Sequence, residues 1–234
     1  MSAVAQAPPS PPPPSGPTFD FVRPFTFVFD DPRWLPKILL GGLFTLASAL
    51  IVGAFFVYGY LARLVRNVIA GVPNPLPEWD DLGEFFSEGV RLFFIAVIYS
   101  IPVVVLAAAL VIPGAVLSGS DSEATRNLGA GLMSCVWCLV FPLGLALAVW
   151  MPAALLMAIV KREFSAAFEF SRIAAFIRAN LGNYLLAFVV WLVARFGASF
   201  GFLLLCVGIF FTMFWGFCVA AYAFGQTYRL SSAR

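Results

Sequence analysis

Four stretches of this chain run without a charged side chain: Ile38 to Ala62, Leu92 to Ser120, Leu128 to Val160, and Leu181 to Ala194, the last resuming beyond Arg195 as far as Tyr228. A helix crosses the ~30 Å hydrocarbon core of a bilayer in about 20 residues, so runs of this length read as transmembrane helices. Charged residues, only 11% of the chain, gather between the runs instead of recurring at helical spacing within them. With 62% hydrophobic residues, the 234-residue chain has too little polar surface to cover a water-soluble globule. The fold class that follows is all-α, a polytopic helical membrane protein.

Leu92 to Leu117 and Gly131 to Ile159 each fit one crossing, the second kinked by Pro142 and Pro152. As a single helix Tyr184 to Gln226 would extend about 60 Å, close to twice the core thickness. It therefore reads as a hairpin of two crossings turning near Val207 and Gly208. The first region admits two readings. Ile38 to Ala62 suits one crossing by length, whereas Trp34 to Asn67 also suits two short helices turning near Val52 and Gly53.

Lysine and arginine beside the membrane arbitrate, because they set orientation. With both termini and both polar loops on the cytoplasmic side, twelve of the fourteen lie inside, Arg126 lies outside and Arg195 is left in the membrane. A single first crossing would split them nine against four. The expectation is six crossings, with five as the alternative, in the cell membrane with both termini cytoplasmic. Residues 1–19 form a disordered Pro-rich tail lacking the charged and apolar segments of a signal peptide. Residues 20–229 form one helical membrane domain, and 230–234 a short C-terminal tail.

Each polar loop carries an amphipathic, interfacial helix. After Pro73, Pro75 and Pro77, the apolar positions Leu82, Phe85, Phe86, Gly89 and Phe93 recur at helical spacing, while Asp80, Asp81, Glu84 and Glu88 face away. Asp81 and Glu84 have capping-box spacing at the start of this helix. In the second loop Phe164, Phe168, Ile173 and Ile177 lie among Glu163, Glu169, Arg172 and Arg178. The order of loop, amphipathic helix and hairpin recurs between Glu78 to Leu110 and Glu163 to Phe196, as in an ancient internal repeat.

The segment from Gly59, Tyr60, Leu61, Ala62 and Arg63 through Pro75, Leu76, Pro77, Glu78, Trp79, Asp80, Asp81, Leu82 and Gly83 resembles a bacterial and archaeal membrane family, domain-of-unknown-function family 4013. Asp31, Pro32, Arg33 and Trp34, with Lys37, Gly41 and Gly42, resemble the approach to that family's first span. The resemblance extends over roughly residues 20–230, mainly in hydropathy outside the Gly-Tyr to Gly-Glu-Phe-Phe stretch. It implies an all-helical membrane domain and brings no catalytic residues.

No histidine occurs in the chain, which removes His-based triads, zincin sites and haem ligated by His. No basic, aromatic-interleaved run supports nucleic-acid binding. Cys135 and Cys138 have thioredoxin-type spacing but sit in an apolar run, where a packed or lipid-facing role outweighs redox or metal chemistry. The carboxylates Glu78, Asp80, Asp81, Glu84 and Glu88 offer a cation site or acid–base groups, but helical phasing reads them as a solvated, capped face. Pro73, Pro75, Pro77 and Trp79 read as fixing the loop and anchoring it at the headgroups.

Arg195 is the one ionisable residue that hydropathy leaves inside the membrane, where a charge marks a pathway, a buried partner or a snorkelling side chain. Gly197 and Gly201 follow it at a spacing that permits close helix approach. No catalytic, cofactor-binding or metal-ligating residue is assigned. The expected role is a non-enzymatic accessory, scaffold or interaction protein, surrounded by membrane lipids and meeting protein partners at its cytoplasmic face. The alternative is a small transporter or channel using Arg195 within the bundle. A membrane enzyme acting on lipid has only the acidic loop and the cysteines behind it.

Overall fold

The computed structural model describes residues 18–203 and 208–232, all of whose regular elements are helical. A short turn of helix, α1 (Arg23–Thr26), precedes α2 (Trp34–Ala47), α3 (Val52–Ala70), α4 (Leu82–Ser118), α5 (Glu123–Cys135) and α6 (Phe141–Lys161). Then follow α7 (Phe170–Ala179), α8 (Leu181–Ser199) and α9 (Gly208–Ser232). Among the described residues, five helical stretches are long and apolar enough to cross a membrane: Val52–Ala70, Leu82–Ser118, Glu123–Lys161, Leu181–Phe202 and Gly208–Ser232. The apolar stretch Trp34–Leu50 is shorter, about 25 Å at helical rise.

The ambiguous first region is thus a hairpin of two helices. Its corner is Ile51, at φ 66° and ψ −45°, just ahead of the expected Val52 and Gly53. That backbone state is strained for a β-branched residue and persists only where the surroundings impose it. Gly53 supplies the constraint, since a Cβ there would overlap the Phe44 carbonyl and the backbone of Ala47. The two arms therefore touch through their backbones immediately at the turn.

With this hairpin in place the helices alternate in direction, and one end of the bundle collects most of the polar chain. The start of α2 meets the loop before α4 through Lys37 and Leu76, and the end of α3 meets α4 through Arg66 and Glu88. The end of α6 joins them through Arg162 and Glu84, while Arg229 of α9 lies against Gly71. This polar end also receives α7.

Local signals set the element ends. Gly71, at φ 74°, closes α3 with the paired Val72 N–H to Asn67 and Gly71 N–H to Val68 hydrogen bonds of a Schellman motif. Asp81 caps α4 by accepting from the Glu84 N–H at 2.9 Å. The amphipathic segment after Asp81 is continuous with the span, so α4 is one helix of 37 residues. The second half differs: α7 is a separate short helix that breaks at Asn180 before α8. Between α5 and α6 the helix widens to a π-turn at Val136–Val140, just ahead of Pro142. Proline has no N–H for the carbonyl four residues back and its ring crowds that turn, which the wider turn relieves.

The expected turn between the last two spans falls on residues 204–207, outside the described residues, with α9 beginning at Gly208. The C-terminal boundary moves from residue 229: α9 continues to Ser232, because Leu230 is buried and the Ser231 and Ser232 hydroxyls bond the Tyr228 carbonyl.

At the crossing of α3 and α4 the two main chains touch. A Cβ on Gly59 would overlap the Phe85 backbone, and one on Gly89 would overlap the Phe55 carbonyl. Each helix thus presents its glycine to the other's main chain, the small-residue mode by which helices associate in lipid. Gly59→Leu should force the pair apart and lower stability by at least about 1–3 kcal/mol. Gly131→Leu, where nothing lies within 4 Å, serves as the control. Thermal unfolding in detergent micelles should show a clear loss for the first variant and little change for the second.

Candidate functional site

The loop joining α3 to α4 is folded inward over the polar end. Pro75, Leu76 and Pro77 are buried. Two prolines with restricted φ hold the strand extended there, and Leu76 fills the gap above α2 and α3. The chain's free carbonyls are then met from the helices. Tyr60 donates its hydroxyl to the Pro77 carbonyl at 3.0 Å, and Asn67 donates to the Pro75 carbonyl at 2.9 Å. Lys37 donates to the Leu76 carbonyl at 3.1 Å.

Trp79, expected to anchor the loop at the headgroups, places its indole in the polar end of the bundle. The ring stacks on Tyr60, centroids 4.3 Å apart, and on Phe44 at 4.9 Å. Its N–H donates to the Lys37 carbonyl at 3.1 Å. A protein acceptor and aromatic rings on both sides hold the indole in place.

Lys37 is 4% exposed. Besides Leu76, its ammonium donates to Asp31 at 2.6 Å and forms an ion pair with Glu78 at 2.7 Å. Asp31 also accepts from the Arg33 N–H at 2.8 Å. Burial pushes the Asp31 carboxyl up, but the Lys37 and Arg33 hydrogen bonds and charges outweigh it and hold the group below the usual carboxylate range.

A second set of charges braces the helices against one another. Arg63 of α3 reaches Glu84, and Asp80 at 3.2 Å, with its guanidinium 4.7 Å above the Phe85 ring. Arg66 grips both oxygens of Glu88 in the two-pronged manner suited to a carboxylate, and Arg91 reaches the same carboxylate at 3.0 Å. Arg162, in the left-handed conformation at the end of α6, approaches Glu84 at 3.5 Å and offers its carbonyl to Arg91 at 2.6 Å. Lys161 and Arg172 converge on Glu169, tying α6 to α7.

These contacts correct the reading of a solvated acidic face. Asp80 and Asp81 remain exposed, but Glu84 is largely covered and Glu88 is 7% exposed between arginines. The phasing of α4 is responsible: Phe85, Glu88, Gly89, Leu92 and Ile95 form its buried face, whereas Leu82 and Phe86 point outward. A buried carboxylate is tolerable only when paired, and α3 supplies the pairs. The signal was present in the sequence. Arg63 and Arg66, one turn apart before a short loop, match Glu84 and Glu88, one turn apart after it. An antiparallel pair sets them face to face.

Arg195 lies on the exposed side of α8 and not within the bundle. The buried positions of that helix, Tyr184, Ala187, Val190, Ala194 and Ala198, form one stripe, and Arg195 stands at its edge. Gly201 packs closely on α9, where a Cβ would overlap Thr212, while Gly197 is looser. Cys135 and Cys138 are exposed on the outer surface of the helical stretch Glu123–Lys161, and neither forms a disulfide with a described residue. Among the described residues no group of three Cys, Asp or Glu side chains is placed to hold a metal ion.

The motif at the centre of this arrangement, Gly59 and Tyr60 with Pro75 through Asp81, lies inside a wider match. The family described as "Protein of unknown function (DUF4013)" matches residues 43–207. The chain belongs to this DUF4013 family. No curated protein and no solved structure matches it. The DUF4013 match takes in Gly59, Gly89 and the whole loop between α3 and α4, and so the contacts that close the polar end. In this member Arg33 and Lys37 lie before the matched region but bond directly to its loop, and Asp31 is held by Lys37.

Lys37→Met should leave Asp31 buried beside an apolar side chain and cost about 3–5 kcal/mol in detergent unfolding, whereas Asp80→Ala should cost under about 1 kcal/mol. Because the native pKa of Asp31 is lowered, its contribution is present above the ordinary carboxylate range and is lost as pH falls through the native value. A pH series of melting temperatures should decline on the acid side in the wild type and decline less in Asp31→Asn.

Proposed function

We propose that this DUF4013 protein is a non-catalytic membrane scaffold or accessory subunit whose braced polar end faces the cytoplasm and docks protein partners. The observation that carries the reading is the sharing of Glu84 and Glu88 among Arg63, Arg66, Arg91 and Arg162. A carboxylate held by several guanidinium donors has its lone pairs engaged and serves better as a strut than as a base. The struts join α3, α4 and the end of α6 into one platform. Exposed groups of both signs stand around it, including Arg33, Asp80, Asp81 and Arg172. Mixed charge of this kind favours selective docking over indiscriminate attraction.

Orientation in the cell membrane follows from charge. Lys161, Arg162, Arg172 and Arg178 accompany Arg33, Lys37, Arg63, Arg66 and Arg91 at or beside the polar end, whereas Arg126 stands beyond the opposite turn. Retention of cations on the cytoplasmic side puts that end inside. The exposure of Arg195 on α8 supports this reading over a transporter working through it.

Proximity labelling from the N-terminus should recover a reproducible set of cytoplasmic neighbours. That set should shrink in the double variant Asp80→Lys, Asp81→Lys, with membrane insertion unchanged. A monomer with the same background neighbours in both forms would count decisively against the scaffold. Cysteine introduced at Asp80 should react with an impermeant maleimide only after permeabilisation, and one at Asp121 should react in intact cells.

A further inference from the structure

Beside the start of α2 the polar end carries an open cleft of about 420 Å³ whose lining is of two kinds. Arg33, Lys37, Glu78 and Asp80 bring charge of both signs, and Pro36 and Leu40 bring an apolar rim. Pro36 and Leu40 stand about one turn apart on α2, and the exposed Leu43 continues their stripe away from the charged groups. Leu35, Leu39 and Leu46 are exposed on the same helix. A ligand that matches both parts has a charged head and hydrocarbon chains.

Two of the charged groups keep bonding capacity to spare. Among the described residues the Arg33 guanidinium has one hydrogen-bond acceptor, Glu78 at 2.7 Å, against five N–H donors. Asp80 has one side-chain donor, Arg63 at 3.2 Å, and its carboxylate is mostly exposed. Lys37 and Glu78, by contrast, are engaged with each other, and Lys37 also holds Asp31. The groups free to meet a ligand are therefore one cation and one anion.

The charges select the head. Arg33 and Lys37 balance Glu78 and Asp80 in the lining, and behind them Asp31 pairs with Lys37 and Arg63 with Asp80. A head of net negative charge would disturb that balance, whereas one carrying a phosphate and an ammonium preserves it. Trp79 also borders the cleft, but its ring is stacked between Tyr60 and Phe44. A trimethylated ammonium, which is recognised by open aromatic faces, finds none there. The ammonium is met by carboxylate oxygens instead, through N–H donors that a primary amine has and choline lacks.

We infer that this cleft binds the head of phosphatidylethanolamine, with the phosphate on Arg33, the ammonium on Asp80 and Glu78, and an acyl chain along Pro36, Leu40 and Leu43. The recognition needs no protein partner, so it is independent of the scaffold reading.

The test is native mass spectrometry of the purified full chain in detergent, titrated with dioleoyl phosphatidylethanolamine, phosphatidylcholine or phosphatidylglycerol. Phosphatidylethanolamine should be retained at lower lipid concentration than the other two. Arg33→Gln and Asp80→Asn should each weaken its binding about two- to tenfold, the range of one net hydrogen bond. Both side chains are mostly exposed, so the variants should melt as the wild type does, and Asp80→Asn decides alone if Arg33→Gln does not melt cooperatively. Glycerophosphoethanolamine, the same head without chains, should not displace the lipid at equal concentration. Equal retention of the three lipids, preference for either of the others, or a phosphatidylethanolamine preference that survives Asp80→Asn overturns the inference. Displacement by glycerophosphoethanolamine at equal concentration also overturns it, marking a site for a soluble solute.

Discussion

Everything at the polar end depends on how closely α3 and α4 approach at Gly59 and Gly89. In lipid there is no hydrophobic gain from bringing two apolar helices together, so association rests on packing and polar contacts. Removing the side chains at these two positions lets the main chains touch. That separation sets the span available to every side chain one or two turns farther along. Arg63 and Arg66 can then reach Glu84 and Glu88 directly. A wider crossing would leave Glu88 buried without its partners, the costly state for a charge.

The same closeness organises the loop. Two helices that touch near their polar ends leave little distance for the connecting residues to bridge, and the surplus chain folds back over the bundle. Its prolines reduce the number of donors to be satisfied, while Tyr60, Asn67 and Lys37 supply what its carbonyls require. Trp79 closes the aromatic stack from Phe44 to Tyr60, extending the contact to α2. Lys37, which carries the carbonyl accepting from Trp79, also neutralises Asp31 and Glu78. Backbone approach, loop burial and charge pairing thus form one cooperative unit, with few parts that can change independently.

This unit accounts for the DUF4013 motif without invoking a reaction. Gly59 permits contact, Tyr60 and Trp79 stack and bond, and Pro75 to Pro77 present carbonyls. Glu78 pairs with Lys37, and Asp81 caps α4.

Length and charge spacing alone determined the helical class, the α8–α9 hairpin and the cap at Asp81, because hydrocarbon thickness, helical rise and capping chemistry act locally along the chain. Charge counting also favoured the hairpin in the first region, although the position of its corner depended on the contact at Gly53. Tertiary structure decided the rest. Helical phasing placed Glu88 on a polar face, yet α3 brings arginines to it, so burial and charge coexist. Hydropathy placed Arg195 in a span but could not choose a side of the helix, and packing of Ala194 and Ala198 against the bundle turned it outward. Which face of a helix is buried depends on the partner's shape and charges, and these arrive from distant parts of the chain.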